Sequence, residues 1–332
     1  MKKIRNIDID FIKVIACIGV VLLHTTMPGF KETRIWNYSS YLYYLGTYSI
    51  PLFFMVNGYL LLGKSEIKYS YILEKIKWIL ITVCSWNLII WLLKRDFTAN
   101  PVKKIAASLI QKGYFFQFWF FGSLILIYLC LPILKKILHS KRSYLYILSL
   151  LVVIGLIFEL VNFLLQMPVQ TYVIQTFRLW TWFFYYILGG FLAQFNLDIL
   201  KKCFKSWMKV TTVVLLFASP LILFMIAKDI HHNLFAEYFY DSILVKAVSL
   251  GTFLTVLTFD LNTDKNRWII NLSNQTMGVF IIHTYIMKVW EKLVGFSFAG
   301  AHLLFVIFTL SISFIVVGIL LKIPYLSRIV KL

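Results

Sequence analysis

The chain has 332 residues, 60% of them hydrophobic and 14% charged, with a mean hydropathy of +0.81. Soluble domains carry roughly a quarter charged residues, so this composition excludes an ordinary soluble protein and points to one polytopic membrane domain. A net charge of +19 would suggest a nucleic-acid partner in a soluble chain; in a membrane chain it reflects Lys and Arg gathered on the cytoplasmic side, with no nucleic acid.

Ten stretches read as membrane spans, near residues 11–30, 40–62, 71–93, 115–134, 143–165, 179–195, 209–227, 242–259, 269–288 and 301–322. The expected fold is all-α: a single domain over residues 1–332, a bundle of about ten transmembrane helices without a soluble domain. With the N-terminus inside, cytoplasmic segments hold 20 of the 33 Lys and Arg and outer segments hold 11, while Lys13 and Lys246 lie within spans. Both termini are therefore expected in the cytoplasm. The opening "MKKIR" resembles a signal peptide, but Asp8, Asp10 and Lys13 interrupt the pattern and no small-residue cleavage site follows, so a retained helix is expected. Cys17, Cys84, Cys130 and Cys203 show no CxxC spacing, which argues against disulfides and against a metal.

The first span carries a polar stripe of Asp10, Lys13 and His24. Lys13 and His24, eleven apart, fall about 20° from each other around a helix axis and about 16 Å apart along it. Asp10, three residues before Lys13, shares that face and can pair with it. Titratable groups inside a span are expensive to bury and mark functional sites by default. A plainer alternative stays open, in which Lys13 snorkels to the headgroups and His24 hydrogen-bonds a neighbouring helix. Cys17 lies on the His24 face and is read as packing rather than as an acyl acceptor.

In the second span, Pro51 is expected to mark a kink and Asn57-Gly58 a close-packing point. The third opens on Lys75 and Lys77, cations that inside bias alone would also place there. The fourth, "FQFWFFGSLILIYLCLPIL", sets Trp119 at the outer interface, either as a membrane-belt anchor or as a face for stacking a sugar. Glu159, in the fifth, must be protonated, paired or in a wet cavity. Arg178 stands at the outer entrance of the sixth. His283, in the ninth, lies about as deep as His24, so the two histidines are positioned to line one cavity.

In order and spacing these features resemble the acyltransferase-3 family, bacterial integral-membrane enzymes that move acyl groups, usually acetyl, from acyl-CoA onto surface glycans. A basic residue, ten residues and then His after an acidic start is matched by Asp10, Lys13 and His24, with Lys where many relatives have Arg. "SIPLFFMVNGYLLL" is similar to P-x-F-F-x-x-S-G, with Asn57 in the Ser position. The R-x-x-R pair that opens the family's third helix, thought to hold the CoA phosphates, falls on Lys75 and Trp78; Lys77 is the candidate replacement for the missing cation. The family's H-x-W-F-x-x-x-L-x-x-x-Y-x-x-x-P helix is met by Trp119, Tyr128 and Pro132, with Gln117 for the common His. "LSNQTMGVFIIH" resembles L-x-x-x-S-x-G-I-Y-L-I-H, with Phe280 for Tyr and His283 retained.

The resemblance implies an O-acyltransferase of the bacterial plasma membrane, with acetyl-CoA as acyl donor, no metal, and a glycan or lipid-linked sugar as acceptor. His24 would be general base or transient acyl carrier, with Lys13 and Asp10 beside it in the catalytic set. Lys75, Lys77 and Lys13 would hold the donor. Trp119, Glu159, Arg178 and His283 are the candidate acceptor-binding residues, Glu159 being the carboxylate expected near His24. Two other readings stand beside this one. A transporter or exporter of glycan precursors would use the stripe as a passage, although Pro51 and Pro132 have no matching breaks at Pro220 and Pro324. A relative that has lost catalysis is kept in view by Trp78.

Overall fold

The computed structural model describes residues 5–259, 261, 265–298 and 300–331, so Met1–Ile4 of the basic opening lie outside the described residues. The described residues are helical with no strand. In chain order they form α1 (Ile7–Thr25), α2 (Tyr38–Leu45), α3 (Ser49–Leu62), α4 (Tyr69–Leu93), α5 (Pro101–Leu109), α6 (Trp119–Ile137), α7 (Lys141–Leu165) and α8 (Leu179–Leu192). There follow α9 (Leu197–Cys203), α10 (Ser206–Met225), α11 (Ile243–Leu257), α12 (Arg267–Ser273), α13 (Thr276–Leu293), α14 (Ala301–Leu320) and α15 (Pro324–Val330).

A helix lies on each of the ten expected stretches, but among the described residues six are long and apolar enough to cross a membrane: Tyr38–Leu62, Tyr69–Leu93, Phe116–Ile137, Lys141–Leu165, Ser206–Ile230 and Ala301–Leu320. The pair α8–α9, bent by 103°, makes a seventh if it counts as one span. The others fall short for local reasons. Charges interrupt α1 (Asp8, Asp10, Lys13) and α13 (Lys288, Glu291, Lys292), while α11 has 15 residues.

Exposure sorts the helices into an outer shell and a centre. On α7, Leu150, Val153, Ile157, Leu160 and Phe163 face outward, and α10 and α14 do the same with Val214, Phe217, Ile307 and Ile315. Exposed apolar surface of this extent suits hydrocarbon rather than water. By contrast α1 is almost wholly buried, packed against α2, α3, α11, α12, α13 and α14. Its charged groups are thus surrounded by protein rather than lipid, which is how so polar a helix is tolerated in an apolar chain.

Local signals set the boundaries of α1. The Asn6 side chain accepts from the amides of Asp8 (2.9 Å) and Ile9 (3.3 Å), an N-cap that starts the helix. It ends at Thr25, short of the expected residue 30, because Pro28 and Gly29 form a 3-10 turn over Met27–Gly29. The break expected at Pro51 appears as the 3-10 turn Gly46–Tyr48 that joins α2 to α3. Gly58 packs closely, as expected: a side chain there would collide with the Tyr186 carbonyl, and one on Gly189 of α8 would collide with that of Met55. Helices α3 and α8 therefore cross backbone to backbone.

Candidate active site

At the start of α1, Asp10 is buried and gathers its neighbours. Arg5 donates to its carboxylate, Lys13 Nζ lies 3.3 Å away, and Ser273 Oγ, from α12, donates at 2.7 Å. The expected Asp10–Lys13 pair is present; the Arg5 and Ser273 partners become visible only in three dimensions. Two adjoining cavities of about 670 and 440 Å³ open here and share Asn57, Tyr71, Lys75 and Tyr128. Arg5, Lys13 and Lys64 line the first; Trp78, Arg328 and Lys331 line the second. Lys64 Nζ sits 3.8 Å from the Tyr71 ring centre, a cation–π contact that forms part of the wall.

At the other end of α1, His24 lines a separate cavity of about 330 Å³ with Gln117 and Trp119 of the α6 entry, Phe280 of α13, and Gln111, Gln175 and Glu237 from connecting segments. The His24 ring lies 5.2 Å from that of His283, at 32°, and 5.2 Å from Phe116, edge-on at 75°. His283 is fully buried, and its Nδ1 lies 3.1 Å from the Val279 carbonyl oxygen. That carbonyl can only accept, so Nδ1 carries the proton and Nε2 is a bare acceptor, with no partner among the described residues. An imidazole lining a cavity, backed by a second imidazole with a free acceptor nitrogen, is an arrangement suited to moving a proton.

The family model for an acyltransferase domain, acyltransferase-3, matches residues 6–321. The chain belongs to the acyltransferase-3 family. With its apolar helices, it is an integral-membrane acyltransferase. No curated protein and no solved structure matches it.

Not every residue singled out in this acyltransferase meets the others. Lys77, the candidate replacement for the missing cation, lines neither cavity: it is 62% exposed and pairs at 3.7 Å with Glu74, a wall residue of the second. Two positions along a helix turn a side chain through about 200°, so Lys75 and Lys77 necessarily face opposite ways. The cations beside Trp78 are instead Arg328 and Lys331, from α15 and just beyond it, which docks on α4 through Trp86 Nε1 donating to the Ile329 carbonyl at 2.9 Å. Glu159 is not near His24. It accepts from the Ile243 amide at 3.1 Å and lines another cavity with Asp241 and His231.

Arg178 is 3% exposed and spent on the protein itself, donating to the carbonyls of Val173, Glu237 and Gln170 and pairing with the Glu237 carboxylate at 3.3 Å. It anchors the loops around the cavity rather than lining it. Trp119 is a buried cavity wall rather than a membrane-belt anchor, 5.0 Å from Trp182. Cys17 is buried, its thiol 3.6 Å from the Thr276 carbonyl oxygen. Gln175 and Glu237 escaped the sequence reading because they sit in irregular segments, where no periodicity marks which side chains turn inward.

The two ends come close without merging. The Lys75 side reaches Phe121, Leu124 and Met277, while the His24 side reaches Phe280. Met277 and Phe280 are one turn apart on α13, about 4.5 Å of rise. The rings of Phe121 and Phe280, 5.6 Å apart, form the partition between them.

Proposed function

We propose that the protein transfers an acyl group, acetyl in the simplest case, from cytosolic acyl-CoA to a hydroxyl of a cell-surface or lipid-linked glycan. In this reading the chain crosses the bacterial plasma membrane ten times with both termini in the cytoplasm, so the Lys13 end faces inward and the His24 end outward. Six cations, Arg5, Lys13, Lys64, Lys75, Arg328 and Lys331, against the carboxylates of Asp10 and Glu74, make the inner cavities suited to a nucleotide's phosphates. Lys13 anchors the donor and Asp10 fixes Lys13. The acyl-bearing arm runs along α1, about 16 Å from Lys13 to His24, and passes where Phe121 and Phe280 yield.

At the outer end, neutral His24 takes the proton of the acceptor hydroxyl as its oxygen bonds to the thioester carbonyl carbon. The carbon–sulfur bond breaks, and His24 returns the proton to the leaving thiolate. His283 is a positioning residue, its free Nε2 able to accept from His24 N–H and hold the other nitrogen as base. A transient acyl group on His24 would use the same geometry.

The observation that carries this reading is the placement of His24 in a walled cavity at the far end of the helix whose start lines a cationic one. The test is transfer of labelled acetyl from acetyl-CoA to envelope glycan by purified protein in nanodiscs, with His24→Ala as the comparison. Wild-type transfer in that variant would defeat the catalytic assignment. Glycan passage across proteoliposomes without acyl transfer would favour the exporter.

A further inference from the structure

The His24 cavity sets two buried amide oxygens near the Tyr43 hydroxyl, whose oxygen accepts from the Ala236 amide at 3.0 Å. Gln117 is 2% exposed, and its Nε2 donates to the Ile281 carbonyl (3.1 Å) and to Thr284 Oγ1 (3.0 Å). Gln175 is 4% exposed, and its Nε2 donates to the Glu237 carboxylate. These partners fix both amides: exchanging oxygen and nitrogen would set oxygen against oxygen in each case. Both residues line the cavity, and neither Oε1 has a partner among the described residues. Buried carbonyl oxygens are nearly always paired, so two without a partner on one cavity wall mark where a ligand's donors belong.

Charge narrows the ligand further. Among the described residues no Lys or Arg lines this cavity. Lys31, 5.9 Å from the Phe235 ring centre, and Lys112, next to Gln111, are exposed outside it. A phosphate or carboxylate inside would face two carbonyl oxygens and Glu237 with no cation to receive it. An ammonium gains little either, because Glu237 already accepts from Arg178, Gln111 and Gln175. The remaining donors are neutral hydroxyls. At about 330 Å³ the space is at the lower end for small-molecule sites, and Trp119 supplies an aromatic face.

Resting on the acyl-transfer reading above, we propose that this cavity holds an uncharged sugar residue of the acceptor, its hydroxyls donating to Oε1 of Gln117 and Gln175. Charged parts of the glycan stay outside, near Lys31 and Lys112. The acceptor's reacting residue is therefore neutral even where the polymer is anionic.

The test uses full-length protein in nanodiscs, labelled acetyl-CoA, and envelope glycan from a strain lacking the gene. The acetylated residue is then identified by mass spectrometry. Label on a neutral sugar is expected; label on a uronic acid, a phosphorylated residue or a free amino sugar overturns this inference alone and leaves acyl transfer standing. No label, with acetyl-CoA bound, overturns both. Gln117→Leu and Gln175→Leu should each raise KM for the glycan about tenfold, with KM for acetyl-CoA unmoved. Equal changes in kcat and both KM values would mean a structural role and would also overturn it.

Discussion

The two ends of this acyltransferase are built from the same helices and have opposite chemistry. Helix α1 supplies Lys13 to one and His24 to the other; α6 supplies Phe121 and Leu124, then Trp119, with Gln117 in the turn just before it; α13 supplies Met277, then Phe280. The Lys75 end is ringed by flexible cations, whereas the His24 end has no Lys or Arg in its wall among the described residues and carries buried amide oxygens held by neighbours. Flexible point charges suit phosphates, whose charge can be met from many angles. Fixed neutral acceptors suit a ligand that must present one hydroxyl in one direction. On the proposed reading, the difference gives affinity for the donor to one end and orientation of the acceptor to the other.

The largest effect should come from the one group placed to do chemistry. His24→Ala is expected to lower acetyl transfer by roughly 10³-fold, in the range for removing a general base, with acetyl-CoA binding retained. Retained binding is what sharpens the comparison: loss of donor affinity in this variant would mean the two ends are not separate. His283→Phe should cost less, roughly 10–100-fold in kcat, because it removes the Nε2 acceptor beside His24 and not the base itself. A normal kcat with raised acceptor KM would instead place His283 in binding.

Next in size are the cations. Lys75→Ala with Arg328→Ala should raise KM for acetyl-CoA at least about tenfold, since hydrogen bonds to charged groups are worth roughly 1.5–3 kcal/mol each. KM for the glycan should not follow. Added salt should weaken donor binding in the parent protein and less in the double variant, because the screened charges are then fewer. An acceptor KM that rose in step would break the division between the ends.

Much of this was legible in the sequence where a helix carries the information. Asp10, Lys13 and His24 lie on one continuous helix, so their shared face and spacing follow from 3.6 residues per turn. The glycine crossings and the Pro51 break were readable for the same reason. The limit shows at Lys77: choosing it over a cation elsewhere required knowing which face of α4 turns inward, and Ile72, Ile76, Ile79 and Val83 put Lys75 on the border of that face and Lys77 opposite. Arg328 and Lys331 were out of reach because α15 folds back onto α4, a tertiary event without local signature. Gln175 and Glu237, 62 residues apart, meet through their own hydrogen bond and through Arg178, contacts that only the tertiary fold creates. Glu159 misled because depth in a span says nothing about direction around the bundle.

The smallest effect tests how the His24 end is held. Gln111 lines that cavity at the end of the segment carrying α5, and it adopts a left-handed backbone, φ 63°, unusual for a residue with a side chain. The segment is pinned by the Tyr114 hydroxyl donating to Asp96, by Lys104 at 3.6 Å from Asp96, and by Ser108 donating to Asn87 at 2.8 Å. The Tyr114 hydrogen bond, with Lys104 beside it, holds the Asp96 carboxyl below its usual value, while burial and Asp96 push the Tyr114 phenol up to about 12. Because the folded value for Asp96 lies below the unfolded one, its contribution is complete above about pH 4 and is lost as pH falls through the depressed value. Around neutral pH the clamp is therefore insensitive to pH, and only its removal should show. Asp96→Asn keeps the shape and loses the charge, so glycan KM should rise about two- to threefold through a loosened Gln111, with donor KM unchanged; an exposed charge pair contributes little, because solvent screens it. Hydrogen exchange over residues 96–114 should quicken in parallel. Faster exchange with no change in glycan KM would detach Gln111 from the acceptor and leave the cavity's specificity to Gln117 and Gln175.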